Sequence, residues 1–227
     1  MPPKNESFWL KCIFIVNNIK YELQYIISGN GEKGVGNNIQ TITRFLRGCK
    51  ETSGKPEENE YTKEQETTFL KQFINDNNLW FEENIPEETK IGQGAEQSVY
   101  LSPDCKSVLK INDSIYYQFW LDYFHNLLIH NYFFPTTQYQ LLGFKEIKGV
   151  LHAVVKQPFI HITEPTNIEI VREFLTSNSF EIKKNNDYIN KSLGIILEDL
   201  HDENVLMNQK VLFFIDTVFY LTPSFYE

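Results

Sequence analysis

"TKIGQGAEQSVYLSPDCKSVLKIN", residues 89–112, is the stretch on which the reading of this chain turns. It runs as a strand, a glycine turn at Gly92-Gln93-Gly94, a strand through Val99, a turn at Pro103-Asp104 and a third strand, "SVLKIN". Glycine and Pro-Asp stand where an antiparallel chain has to reverse, between runs of β-forming residues. The third strand sets Lys110 among apolar neighbours. A lysine so placed ordinarily snorkels to solvent, so its meaning depends on the residues downstream.

The downstream signals come in a definite order. "NDSIYYQFWLDYFHNLLIHNYF" (112–133) is a long, aromatic-rich periodic run with Asp113 or Ser114 as cap, which predicts a helix. "YQLLGFKEIKGVLHAVVKQPF" (139–159) reads as two strands around Lys148-Gly149. A helix near 165–177 and a short polar stretch lead to "SLGIILEDLHDENVLMNQKVLFFIDTVFYL" (192–221). That segment carries Asp199, then Asn204 five residues on, and Asp216 at the end of an apolar run.

The better-spaced glycines lie elsewhere. In "GNGEKGVGNN" (29–38), Gly29, Gly31 and Gly34 match G-x-G-x-x-G, a spacing that lets backbone close around a pyrophosphate. A dinucleotide site also needs a buried strand ending in an acid about 20 positions later. Counting from Gly31 reaches Glu51, and "RFLRGCKE" before it reads as a helix end. The segment is expected to be a flexible loop. Around it, "LKCIFIVNNIKYELQYIIS" (10–28) predicts strands with a turn at Asn17-Asn18. A helix near 38–48 ends at Gly48, and polar "KETSGKPEENEYTKE" (50–64) reads as an exposed linker. Phe69, Leu70, Phe73 and Ile74 then recur at helical spacing after Thr62, Glu64 and Gln65, which suit a helix start.

Composition bounds the function classes. Of 227 residues, 41% are hydrophobic and 15% aromatic, enough for a proper core in one large or two small domains. A net charge of −9 argues against sequence-independent nucleic-acid binding. Cys12, Cys49 and Cys105 are far apart with no C-x-x-C, which fits a reducing compartment and neither a disulfide framework nor zinc. No apolar run approaches the roughly 18 residues of a membrane helix. "MPPKNESFWLKCIFIV" at the start faintly suggests a signal peptide, but Lys11 interrupts it and no small-residue cleavage site comes after it. A soluble, cytoplasmic protein is expected, with no membrane and no specific nucleic-acid partner.

The sequence of signals over about 90–220 — glycine loop, strand Lys110, helix, hairpin ending at "VVKQPF", D-x-x-x-x-N loop, Asp216 — resembles the protein-kinase-like superfamily. More narrowly it resembles the kinase domains found in polyvalent proteins of mobile elements and phages. The resemblance implies an α+β, two-lobed kinase-like fold. Its N-lobe would span 86–157 and a reduced C-lobe 158–227, with 1–85 as an N-terminal α/β extension. It implies ATP and Mg²⁺ as cofactors. ATP would lie against Gly92, Gln93, Gly94, Ala95, Val99, Lys110, Gln157 and Phe159. Asn204 and Asp216 are hard oxygen ligands suited to magnesium, and Asp199 would accept the proton of an attacking hydroxyl.

This chain departs from the pattern at several places. Gln97 stands where a third glycine belongs, and the helix at 113–131 contains no Glu to pair with Lys110. Asp122, its one acid, is the candidate substitute. Leu197 replaces the family's His or Tyr before the catalytic Asp, and Thr-Val replaces Phe-Gly after Asp216. His201, two residues after Asp199, makes "DLHDEN" resemble the D-L-H-x-x-N of aminoglycoside and choline phosphotransferases. A protonatable imidazole there can neutralise phosphate charge. Only 11 residues come after Asp216, so an activation loop and the usual peptide-docking helices have no room. Phosphotransfer to a protein hydroxyl is the leading expectation. A small-molecule hydroxyl acceptor and a nucleotide-binding pseudokinase or interaction module are the alternatives.

Overall fold

The computed structural model describes residues 5–29, 38–53 and 61–227, with side chains from residue 16 onward. The glycine segment at 29–38 and the centre of the 50–64 stretch lie almost wholly outside the described residues. What is described is α+β.

Hairpins build the larger sheet. Strands β1 (Lys90–Gln93), β2 (Gln97–Leu101), β3 (Ser107–Asn112), β4 (Gln140–Ile147) and β5 (Val150–Pro158) pair antiparallel in the order β1-β2-β3-β5-β4. The turns fall where the sequence signals them. The Gly94 amide donates to the Gln97 carbonyl at 2.8 Å. Lys148 and Gly149 both take positive φ, 53° and 82°, as a two-residue turn matched to strand twist requires. Gly143, at an irregularity in β4, lets another segment approach: a Cβ there would lie 2.6 Å from the Leu79 carbonyl.

Helix α4 (Trp120–Phe133) joins β3 to β4 and packs Trp120 and Phe124 against Phe144 of β4. It starts eight residues later than its sequence pattern suggests, because Asn112 and Asp113 turn the chain instead of capping a helix. Their side-chain oxygens accept the amides of Ser114 and Ile115 at 2.6 and 3.0 Å. The helix begins where its free amides find a carboxylate from far away. Glu66 accepts the Trp120 amide at 2.5 Å and the Leu121 amide at 3.3 Å. Burial pushes the Glu66 carboxyl up to about 7, against the opposing pull of those two amides.

Glu66 belongs to α3 (Lys63–Asp76), which opens on a capping box between Thr62 and Gln65. Before it come α1 (Asn5–Ile27) and α2 (Asn38–Ser53). Residues 10–27 are therefore one helix with no turn at Asn17-Asn18, and among the described residues the N-terminal extension is helical rather than α/β. Val16, Ile19, Leu23, Ile26 and Ile27 fall on one helical face; Leu23 and Ile27 are fully buried, while Tyr21 and Tyr25 stay exposed. Tertiary packing of that face overrides the β preference of the residue types. Helix α2 likewise runs past Gly48 to Ser53, four residues into the expected linker.

The C-terminal part is made of short pieces. Helix α5 (Ile168–Ser177) is capped by Asn167, whose side chain accepts the Glu169 amide at 2.9 Å. Strands β6 (Glu181–Lys184), β7 (Asp187–Asn190), β8 (Ile195–Glu198) and β11 (Val218–Leu221) form a sheet in the order β11-β8-β7-β6. The polar stretch after α5 is thus a hairpin, held by Tyr188, whose side chain is buried. Strands β9 (Val205–Asn208) and β10 (Val211–Phe214) make a separate two-stranded ribbon.

Two cores hold the described residues together, and the N-terminal helices between them reach both. Helices α2 and α3 join α4, β4 and β5 in one, through Ile42, Leu46, Leu70 and Ile74. Helix α1 joins the C-terminal strands in the other, beside Val171, Phe219 and Phe225. Lys20 and Gln24 of α1 also donate to the carbonyls of Ser224 and Phe225.

Candidate functional site

The larger sheet and the loops after β8 and β10 enclose a cleft of about 690 Å³. That is within the range of small-molecule and cofactor sites. The residues that the resemblance assigns to nucleotide, cation and acceptor all line it: Gly92, Gln93, Gly94, Ala95 and Val99 on the glycine hairpin, Lys110 on β3, Gln157 on β5 and Phe159 just after it. Asp199, His201, Asn204 and Asp216 line its opposite side.

Lys110 does not snorkel. It sits at 3% exposure in the middle of β3, opposite Val99 and Val155. Its ammonium donates to the Ile215 carbonyl at 2.9 Å and lies 3.4 Å from the Asp216 carboxylate. Burial pulls its proton affinity down from the ordinary lysine range, while Asp216 and, more weakly, Glu96 oppose that pull. Tyr139 shares the Ile215 carbonyl, donating at 2.6 Å, and presents its ring 5.4 Å from the ammonium.

Asp122 is not the partner of Lys110. Its carboxylate accepts the Phe119 amide at 3.1 Å and lies in the fields of Lys50 and Lys63. It closes the first turn of α4, a local duty that a side chain this short fulfils at its own helix end.

Across the cleft, the turn after β8 knots three predicted residues together. Asp199 takes a left-handed φ of 61°, a region aspartate tolerates better than most residues. The Asn204 amide donates to the Asp199 carbonyl at 2.8 Å and to its carboxylate at 3.1 Å. It also approaches His201 Nε2 at 3.1 Å, and that nitrogen is 3.4 Å from the Asp199 carboxylate. With its nitrogen so engaged, Asn204 has its side-chain oxygen left as the atom suited to a hard cation. The Ile215 amide donates to the Asn204 carbonyl at 3.0 Å, tying this turn to the residue before Asp216.

Asp216 is held from both sides, by Lys110 and by the amide of Gln97. The residue in place of a third glycine therefore bridges the hairpin to the acid. Gln157 is buried and donates to the Thr137 carbonyl at 2.7 Å, and the Phe159 amide donates to Lys106. Behind Asp216, His130 is fully buried between the Thr217 hydroxyl and the Thr137 carbonyl, at 2.7 and 2.9 Å. A carbonyl only accepts, so Nε2 carries the proton and Nδ1 receives the hydroxyl. Burial holds this imidazole neutral, down to about 3.

A family model described as "Serine/Threonine/Tyrosine Kinase found in polyvalent proteins" matches residues 63–223, most of the chain. The chain belongs to this kinase family. The matched span starts at the first residue of α3 and takes in both walls of the cleft. No curated protein and no solved structure matches the chain. Among the described residues no helix is long and apolar enough to cross a membrane.

Sequence reasoning overlooked Glu96, Tyr139 and Thr217. Glu96 stands beside the noted glycines, and its inward reach depends on strand pairing. Tyr139 reaches the site only through a residue far along the chain, and Thr217, though next to Asp216, shows its bond to His130 only in the fold.

Proposed function

We propose that the cleft binds Mg-ATP and transfers the γ-phosphate to a hydroxyl group, with a protein acceptor as the leading class. The observation that carries this reading is the buried Lys110 ammonium, 3.4 Å from Asp216 and facing the Asp199–Asn204 turn. In this reading the five-stranded sheet with α4 is the N-lobe and the strands after about residue 158 are a reduced C-lobe.

The apolar side chains of Ile91, Val99, Val108, Leu206 and Ile215 line the cleft and suit a planar base. Lys110 is placed on the cleft wall to pair with phosphate oxygens. Gly92 and Gly94 keep the hairpin bare, since neither carries a side chain to hold phosphates away. Asn204 and Asp216 offer the hard oxygens that magnesium prefers, and Asp216 is partly open to the cleft. Magnesium, when bound, supplies neutralisation of phosphate charge. Asp199 orients the acceptor hydroxyl and accepts its proton, while His201 beside it balances charge when protonated. Most of the rate enhancement comes from positioning and electrostatics.

The contact of His201 with both Asp199 and Asn204 favours a second reading, transfer to a small-molecule hydroxyl. Purified protein incubated with γ-labelled ATP tests both. Label in the protein itself or in added protein substrates supports the first, label in aminoglycosides or other small alcohols supports the second. ATP binding without any transfer supports a pseudokinase and overturns both.

A further inference from the structure

Lys110 is paired with Asp216, which is also a candidate cation ligand, and α4 sends no acid to the lysine. Asp122, the one acid of α4, closes its first turn. Glu96 is differently placed. It lines the cleft from the glycine hairpin, and one of its carboxylate oxygens, Oε2, is buried without a hydrogen-bond partner among the described residues. Its backbone is fixed, because the Asp113 amide donates to the Glu96 carbonyl at 3.1 Å. The strand register sets its neighbour Gln97 opposite Asn112, so Asn112 lies close by and favours the charged carboxylate against burial. Asn112 is two residues from Lys110 on β3, so both side chains leave the same face of the sheet. Glu96 is thus held at the end of the strand that carries the lysine, and both line the same cleft.

We propose that Glu96 is the positioning residue for Lys110, a carboxylate delivered by the glycine hairpin in place of a helix acid. This rests on the nucleotide reading of the cleft. A buried carboxylate oxygen with no partner is costly and calls for a donor. The ammonium has three N–H groups, of which Ile215 and Asp216 occupy two. Glu96 balances Lys110 when Asp216 serves a cation, and it links the lysine's placement to that of the hairpin. The other groups whose charge Glu96 feels or affects are Asp113, Asp199, Tyr117, Tyr123 and Tyr220, none of them a cation.

A double-mutant cycle with Glu96→Gln and Lys110→Met tests this, since both replacements keep shape and remove charge. Two readouts are taken on the full chain: the melting temperature without ligand, and affinity for ATP against adenosine. Alone, Glu96→Gln lowers the melting temperature by about 2–4 °C, the shift expected of a modest pair in a chain this size. In the Lys110→Met background it raises it, because the carboxylate removed has no cation left to serve. It also weakens ATP roughly tenfold, leaves adenosine unchanged, and adds nothing once Lys110 is Met. Equal melting shifts in both backgrounds would overturn the pairing. Wild-type protein that does not prefer ATP to adenosine would overturn the nucleotide reading instead, while the melting cycle still decides whether Glu96 and Lys110 interact.

Discussion

The two walls of the cleft are built by opposite means. The sheet wall is an antiparallel ladder of up to nine residues per strand, and it buries Lys110 within that ladder. The opposite wall uses strands of four residues and sets its polar groups on turns, with Asp199, Gln209 and Lys210 all at positive φ. A ladder fixes where a group sits, and a turn leaves a carboxylate open to an incoming partner. The sheet side is suited to holding a ligand and the turn side to acting on it. Substitutions on the two sides should therefore fail in different ways.

The largest separation is expected between Lys110→Ala and Asp199→Asn. The first should lower both nucleotide affinity and turnover. The second is nearly isosteric, so it should leave ATP binding near wild type and cut turnover by roughly 10²–10⁴-fold, the usual effect of losing a positioned base. Parallel binding and transfer assays decide it; equal loss of affinity in both variants would erase the division between walls.

Next comes the joint between them. His130→Ala leaves the Thr217 hydroxyl without its imidazole partner, takes one of two donors from the Thr137 carbonyl and opens a cavity behind Asp216. A loss of about 2–4 kcal/mol in denaturant unfolding is expected. A smaller effect is expected within the sheet wall. Gly94→Val should weaken ATP by roughly tenfold with little change in stability, since a Cβ there meets only ordinary contact, at 3.7 Å from the Gln97 carbonyl. Gly31→Val should change ATP affinity little, and the reverse ranking would contradict the choice of loop.

The smallest effect concerns pH. Glu66 is held near 7 in the fold against an ordinary 4.5, so its contribution is full below 4.5 and lost as pH rises through about 7. The melting-temperature advantage of wild type over Glu66→Gln should shrink between pH 5 and 8. His125 and His130, both held neutral down to about 3 from an ordinary 6.5, work the other way. Their contribution is present above 6.5 and lost as pH falls toward 3, in both proteins alike. A constant difference across the range would remove the Glu66 cap from the account.

The same contrast explains which parts of the molecule are legible in the sequence. The sheet is legible because its reversals are local, as Lys148-Gly149 and the Pro103-Asp104 turn show. Lys110, Asp199, Asn204 and Asp216 are legible through their order and strand context, though not the burial of Lys110. Helix α1 reads as strands because its β-branched and aromatic residues outweigh the i, i+3, i+4 spacing of Val16, Ile19, Leu23 and Ile27. The true start of α4 depends on Glu66, 54 residues from Trp120 in sequence, so no local pattern reveals it. The displacement of Asp122 from Lys110 has the same origin.

The central claim is that the two walls together hold a magnesium nucleotide. Melting of wild type and Asp216→Ala, with and without millimolar Mg-ATP, tests it most directly. A ligand that binds only the folded state raises the melting temperature by mass action. Wild type should be stabilised by Mg-ATP more than by ATP with chelator, and Asp216→Ala should lose the magnesium-dependent part. No stabilisation of wild type, or an undiminished magnesium effect in Asp216→Ala, would contradict the account.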